Sequence, residues 1–146
     1  MRIVGLDLGS KTCGVAQSDA GGTIALGVKT LTFESEDYEA ALILVKDLCQ
    51  ELAAEKIVVG YPKHLNNDVG ERARIAQIFA DILSQDLNIE VILWDERLTT
   101  VAAEKVLLSA DVSRKKRKKV VDKVAATYIL QGYLDAQNND RSKIDE

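Results

Sequence analysis

The sequence has little cysteine, a single histidine and no long apolar run, and each of these absences excludes a class of protein. Two cysteines, Cys13 and Cys49, provide neither a disulfide framework nor the close spacing of a zinc site. The histidine, His64, lies in a polar segment and is better explained as a loop residue than as a catalytic base. The longest apolar run, residues 40–45, is far too short to span a bilayer. We therefore expect a cytoplasmic protein with no membrane contact and no signal peptide.

The composition that remains is typical of a globular domain. Hydrophobic residues make up 47% of the chain and charged residues 29%. With 146 residues, the chain is long enough to bury a core of its own. We predict one folded domain over residues 1–136, followed by a polar C-terminal tail over residues 137–146.

An otherwise acidic chain carries one concentrated basic segment. The net charge is −4, and without this segment the chain has 13 basic against 23 acidic residues, a net charge of −10. Such segments are usually solvated loops, but in an acidic chain a lone basic run favours contact with the phosphates of a nucleic acid. Its members are Arg114, Lys115, Lys116, Arg117, Lys118 and Lys119.

Hydrophobic periodicity predicts five strands and four helices. The strands are expected at 2–7, 12–18, 23–30, 56–60 and 90–94. The helices are expected from a Ser35 cap to about 54, at about 71–85, from a Thr99 or Thr100 cap to 109, and at about 119–136, with a polar loop over 63–70. Short connections make the first three strands antiparallel, and helical crossovers make the later strands parallel. The predicted fold is therefore α/β, with a five-stranded mixed sheet and helices on both faces.

A carboxylate stands at the end of the first predicted strand. Asp7 follows a short apolar run and is followed by Gly9 and Gly14. Burying a carboxylate is costly unless it is paired or bound to a metal. Asp7 is therefore either a cation ligand or the cap of a turn, and we favour the cation ligand because other carboxylates are predicted at the same edge of the sheet.

Two further positions supply those carboxylates. Asp95 and Glu96 end the fifth strand, where alternation points their side chains in opposite directions, so only one should enter a site. The pattern does not choose between them, and either could instead form a surface ion pair with Arg97. Asp122 lies on the apolar face of the last predicted helix and is otherwise explained by an ion pair with a lysine. That face also carries Ala125, Ala126, Ile129 and Tyr133.

Three converging carboxylates favour a site for Mg²⁺ or Mn²⁺, because these cations prefer oxygen ligands. Such a site can activate water and stabilise a leaving oxygen in phosphodiester hydrolysis. The basic segment directly precedes Asp122, so it is suitably placed to hold a phosphate backbone.

Four segments of the chain carry a resemblance to a known family. They are G-L-D-L-G-S-K-T-C-G-V-A at 5–16, I-V-V-G-Y-P-K-H-L-N-N-D-V-G at 57–70, W-D-E-R-L-T-T at 94–100 and V-D-K-V-A-A at 121–126. In this order they resemble the YqgF-type nucleases, which are Holliday-junction-resolvase-like members of the RNase H-like superfamily. The resemblance extends from residue 1 to about 136.

The resemblance implies a bacterial cytoplasmic nuclease that processes the 5′ end of precursor 16S ribosomal RNA. It maps the catalytic, metal-binding carboxylates onto Asp7, Glu96 and Asp122, and so selects Glu96 over Asp95. Lys11, Arg97 and the basic segment are then the candidate nucleic-acid contacts. The resolvases of this superfamily carry an acidic residue at the end of the fourth strand. Here that strand ends Val-Gly-Tyr-Pro at 59–62, and the resemblance implies that Glu96 on the fifth strand substitutes for this acidic residue.

Three alternative functions stay open at this stage. A Holliday-junction resolvase would need a two-fold dimer to cut both strands, and the sequence does not decide between a monomer and a homodimer. A second alternative is nucleotide hydrolysis or sugar phosphorylation, because residues 7–14 resemble the phosphate loop of the actin-like kinases and chaperone ATPases. Those proteins clasp a nucleotide between two such domains, and 146 residues supply only one. The third alternative is a non-catalytic RNA-binding module in ribosome assembly.

Overall fold

The computed structural model describes residues 1–61, 67–95 and 125–138. The strands are β1 (Ile3–Leu8), β2 (Thr12–Ser18), β3 (Ala25–Thr32), β4 (Lys56–Tyr61) and β5 (Glu90–Asp95). They form one sheet with the order β3-β2-β1-β4-β5. Strands β1, β2 and β3 are antiparallel, whereas β1, β4 and β5 are parallel, as predicted. The helices are α1 (Tyr38–Glu51), α2 (Asn67–Leu87) and α3 (125–138).

Helices cover both faces of the sheet, and each face has its own core. Val4 and Leu6 of β1 pack with α1 and α2 on one face. Ile3 of β1 and Val58 of β4 pack with α3 on the other. Successive side chains of a strand point to opposite faces, so the odd-numbered residues of β1 belong to the α3 face.

None of the described helices is long and apolar enough to cross a membrane.

Helix α3 lies unusually close to β1, and this requires glycine at position 5. A Cβ atom on Gly5 would lie 2.7 Å from Leu130 Cβ and 3.2 Å from the Ala126 carbonyl oxygen. The side chain of Gln131 then fixes the helix to β3, since its Oε1 accepts the Ala25 amide at 2.9 Å and its Nε2 donates to the Thr23 carbonyl at 2.9 Å. These bonds connect residues that are more than 100 positions apart in the chain.

Several predicted boundaries were wrong for identifiable local reasons. Strand β3 starts at Ala25 because the Asp19 carboxylate accepts the amides of Thr23 and Ile24 in the preceding turn. Helix α1 is capped by Asp37 rather than Ser35, and Asp37 Oδ1 accepts the Ala40 amide at 3.1 Å.

The other differences concern the helices. Helix α2 starts at Asn67, so the last four residues of the predicted 63–70 loop are helical. Helix α3 continues to Asn138, two residues into the predicted tail. The helix predicted to end at 109, the start of the one predicted from 119, and residues 139–146 lie outside the described residues.

Candidate active site

Asp7 lies near the carboxyl end of β1, on the face that α3 covers. It pairs with Gly14 of β2, and it is two residues beyond Gly5, which contacts α3 directly. Asp7 is half-buried. A carboxylate at this depth is positioned by the strand itself, because its main chain is part of the central strand of the sheet.

Glycines lie beside Asp7 on both neighbouring strands. Gly14 faces it across β2. On β4, Val58 pairs with Gly5, so Gly60 is level with Asp7 on the same face. Neither residue contributes a side chain beside the carboxylate. The oxygens of the Asp7 carboxylate are ligands of the kind that Mg²⁺ and Mn²⁺ prefer.

Asp95 belongs to the opposite face of the sheet. In β5, Ile92 and Trp94 pack on the α3 side, whereas Val91 and Leu93 pack on the side of α1 and α2. Alternation puts Asp95 with the second pair, away from the face of Asp7. The residue that follows it, Glu96, lies outside the described residues.

The N-terminal end of α3 points towards the edge of the sheet where Asp7 lies. Tyr133 is level with the start of β1, since its hydroxyl accepts a hydrogen bond of 2.8 Å from Lys56, which pairs with Ile3. About two turns earlier, Ala126 is level with Gly5. The helix therefore runs antiparallel to β1. The four predicted neighbours of Asp122 on this helix are all buried: Ala125, Ala126, Ile129 and Tyr133.

The predicted nucleic-acid contact Lys11 lies at this same edge, in the turn between β1 and β2. Its side chain is exposed. The turn is held by three backbone hydrogen bonds, in which the Gly9 amide donates to the Thr12 carbonyl, Phe33 to Lys11 and Glu36 to Ser10, at 2.7, 2.9 and 2.7 Å.

The structure thus places two of the predicted functional residues, Asp7 and Lys11, at one edge. The predicted carboxylates Glu96 and Asp122 lie outside the described residues. So do the other predicted nucleic-acid contacts, which are Arg97, Arg114, Lys115, Lys116, Arg117, Lys118 and Lys119. Within residues 1–61, 67–95 and 125–138, no group of three or more His, Cys, Asp or Glu residues could hold a metal ion.

Two titratable groups outside this edge have structural roles that the sequence did not reveal. The hydrogen bond to the Tyr133 hydroxyl raises the pKa of Lys56, with a smaller contribution from Glu90 at 3.5 Å and an opposing effect of desolvation. Burial raises the pKa of the Cys49 thiol to about 12. A thiol of this kind is protonated at neutral pH, so Cys49 is not a nucleophile.

The sequence of the chain matches the model of a known family over most of its length. A model of the RuvX family, described as Holliday junction resolvase, matches residues 1–136. The chain belongs to this family.

The curated relatives are similar along their whole length. A protein of Bacillus subtilis named "Putative pre-16S rRNA nuclease" is 52% identical over 138 residues, which cover 94% of this chain and 100% of the relative. A relative of the same name from Listeria monocytogenes is 53% identical over 138 residues, with the same coverage of both chains. These findings confirm the predicted resemblance to YqgF-type, Holliday-junction-resolvase-like proteins.

Solved structures of low sequence identity share the fold. Thermus thermophilus RuvC in complex with a Holliday junction substrate superposes with a TM-score of 0.61 at 14% identity, covering 94% of this chain and 95% of that one. The fowlpox virus Holliday junction resolvase gives a TM-score of 0.57 at 14% identity, covering 93% and 99%. The sheet order and these likenesses confirm the RNase H-like fold of this RuvX family member.

Proposed function

We propose that this protein is a divalent-metal-dependent endonuclease of the cytoplasm that hydrolyses phosphodiester bonds in the 5′-end maturation of precursor 16S rRNA. The observation that carries the proposal is the position of Asp7, a half-buried carboxylate between two glycine-bearing strands at the carboxyl edge of the sheet. Ligands of α/β sheets bind at this edge. The rRNA substrate is suggested by the names of relatives that are more than half identical to this chain.

Glu96 and Asp122 are proposed as the partners of Asp7. The alternation along β5 supports Glu96, because Asp95 belongs to the face of α1 and α2 and Glu96 is the next residue. The direction of α3 supports Asp122. Asp122 is four positions before Ala126 in the sequence, and Ala126 is level with Gly5, two residues before Asp7.

The proposed division of roles follows from the charges. Asp7, Glu96 and Asp122 bind the cation and orient it towards the scissile phosphate. Bound Mg²⁺ or Mn²⁺ would supply an activated water and stabilise charge on the phosphate oxygens. Exposed Lys11 holds a neighbouring phosphate at the same edge. Arg97 and the basic segment (114–119) are proposed to extend this contact along the nucleic-acid backbone.

A second candidate function, Holliday-junction resolution, is favoured by the description of the family and by the fold. Cutting two opposed strands of a junction needs two active sites related by a two-fold axis. The oligomeric state, monomer or homodimer, therefore bears directly on this alternative. A protein that stays monomeric at its working concentration in light scattering would argue against a resolvase.

The deciding experiment is cleavage of three labelled substrates: a precursor RNA with its 5′ leader, a four-way DNA junction and a linear DNA duplex. Each is incubated with Mg²⁺, Mn²⁺ or EDTA. The variants are Asp7→Asn and, as a matched control, Asp95→Asn, which removes a carboxylate at the same edge but on the other face. We expect cleavage of the RNA alone, abolished by EDTA. Loss of one carboxylate ligand of the cation should slow Asp7→Asn by at least about 100-fold.

The Asp95→Asn control shows whether a loss of activity comes from the removal of any negative charge at this edge. Its cleavage rate should stay within about threefold of the wild-type rate. Metal-dependent cleavage of the junction instead of the RNA would establish the resolvase. RNA cleavage that persists in Asp7→Asn, or that needs no divalent cation, would refute the proposed function.

A further inference from the structure

The face of the sheet that carries Asp7 changes from apolar to polar along β2 and β3. Under α3, this face is lined by Ala16 and Ala25, which are both buried. Nearer the edge with Asp7, the residues of the same face are small or hydroxyl-bearing. They are Gly14 and Thr12 on β2, and Thr30 and Thr32 on β3.

The strand register puts these residues side by side. Asp7 pairs with Gly14, and Gly14 pairs with Thr30. Thr12 pairs with Thr32 in the next row outward. The intervening residues of the two strands, including Cys13 and Leu31, pack in the core on the other face. The three threonines therefore share the face of Asp7, and with neighbouring strands about 4.8 Å apart, Thr30 is about 10 Å from Asp7 across the sheet.

Solvent reaches this part of the sheet to different degrees. Thr32 is exposed, and Thr12 and Thr30 are half-buried. Thr12 Oγ1 lies beside the turn, 3.5 Å from where a Cβ atom on Gly9 would be. The contacts of α3 with β3 lie at the other end of the strand, where Gln131 binds Thr23 and Ala25.

We infer that Thr12, Thr30 and Thr32, here called the threonine strip, bind the ribose–phosphate backbone of RNA beside the bond that is cleaved. This inference rests on the proposed function. A threonine hydroxyl has one donor and two acceptor positions, so even a hydroxyl that is bonded within the protein can accept or donate a further bond. The ribose 2′-hydroxyl is likewise donor and acceptor, and threonine hydroxyls also bind phosphate oxygens.

The strip lies beside Asp7 on the same face of the sheet. Buried Gly14 lies between Asp7 and Thr30 on the middle strand, and exposed Thr32 is one row further out, at the edge. The strip is uncharged, whereas Lys11 and the basic segment supply the charged contacts. We therefore expect the strip to improve affinity for RNA without changing how strongly binding depends on salt.

The test uses the double variant Thr30→Val/Thr32→Val, which removes two hydroxyls but keeps β-branched side chains of similar size. The matched control is Thr23→Val, an exposed threonine at the far end of the sheet whose main chain makes the observed hydrogen bonds. Binding of a labelled single-stranded RNA, and of DNA of the same sequence, is measured by fluorescence anisotropy in EDTA at several salt concentrations. Cleavage with Mg²⁺ or Mn²⁺ is measured in parallel.

Loss of two neutral hydrogen bonds should weaken RNA binding about 5- to 100-fold in the double variant. DNA binding should weaken less, the salt slope should not change, and Thr23→Val should stay within about twofold of the wild type. If the wild type binds and cleaves RNA but the double variant binds it equally well, the inference is wrong and the proposed function stands. If the double variant loses as much affinity for DNA as for RNA, the inferred contact with the ribose is wrong. A wild type that neither binds nor cleaves RNA would overturn both.

Discussion

The substitution Gly5→Ala tests the contact that brings α3 to the candidate site. The added Cβ would lie 2.7 Å from Leu130 Cβ and 3.2 Å from the Ala126 carbonyl oxygen. Carbon atoms in ordinary contact are about 3.5–4.0 Å apart, so helix and strand must separate by nearly an ångström. Overpacking of this kind costs about 1–3 kcal/mol.

The net loss in the free energy of unfolding is smaller than this packing cost. Replacing glycine by alanine restricts the unfolded chain and so returns about 0.4–1 kcal/mol. We therefore expect the free energy of unfolding to fall by about 1–2 kcal/mol, and the melting temperature by roughly 3–8 °C. The control Gly70→Ala changes an exposed glycine of α2 whose Cβ would meet nothing within 4 Å. It should be neutral or stabilise by up to about 1 kcal/mol, because alanine favours a helix.

The assay is urea denaturation followed by fluorescence, since the chain has one tryptophan. Trp94 reports on α3 directly: its ring lies 5.7 Å from the Tyr133 ring, edge to face, and its Nε1 lies 3.3 Å from where a Cβ atom on Gly132 would be. Gly5→Ala should unfold at lower urea with an altered native emission. A variant as stable as the wild type, with unchanged Trp94 emission, would show that α3 does not pack on β1 in this way.

Two further predictions follow from the titratable groups. Because the hydrogen bond to Tyr133 raises the pKa of Lys56, this bond should stabilise the fold fully below the ordinary lysine value of 10.5, and its contribution should be lost as pH rises through the raised value. Lys56→Met should therefore unfold at a lower urea midpoint than the wild type at pH 7, and the difference between the two midpoints should become smaller at strongly alkaline pH. A difference that does not change with pH would contradict this prediction. Because Cys13 and Cys49 are buried, neither thiol should react with a disulfide reagent at pH 8 until urea unfolds the protein, whereas rapid labelling of the native state would refute their burial.

Local patterns in the sequence predicted much of the architecture. Strand β2 lies where alternation and flanking glycines put it, and the other strands differ by one or two residues at an end. The errors at helix starts have a common cause. Ser35 and Asp37 are both good caps by type, and the choice of Asp37 depends on the chain path, in which the Glu36 amide donates to the Ser10 carbonyl. That bond joins segments that no local pattern connects.

The sequence by itself determined the order of strands and helices, and with it the position of Asp7 at a strand end, because both depend on periodicities over a few residues. It could not determine which face of the sheet each carboxylate occupies. Alternation fixes only that Asp95 and Glu96 point in opposite directions, and the packing of Ile92 and Trp94 against α3 decides that Asp95 belongs with α1 and α2. The importance of Gly5 was equally hidden, because it arises from a helix more than 100 residues later in the chain. Contacts of such long sequence separation exist only in the folded protein.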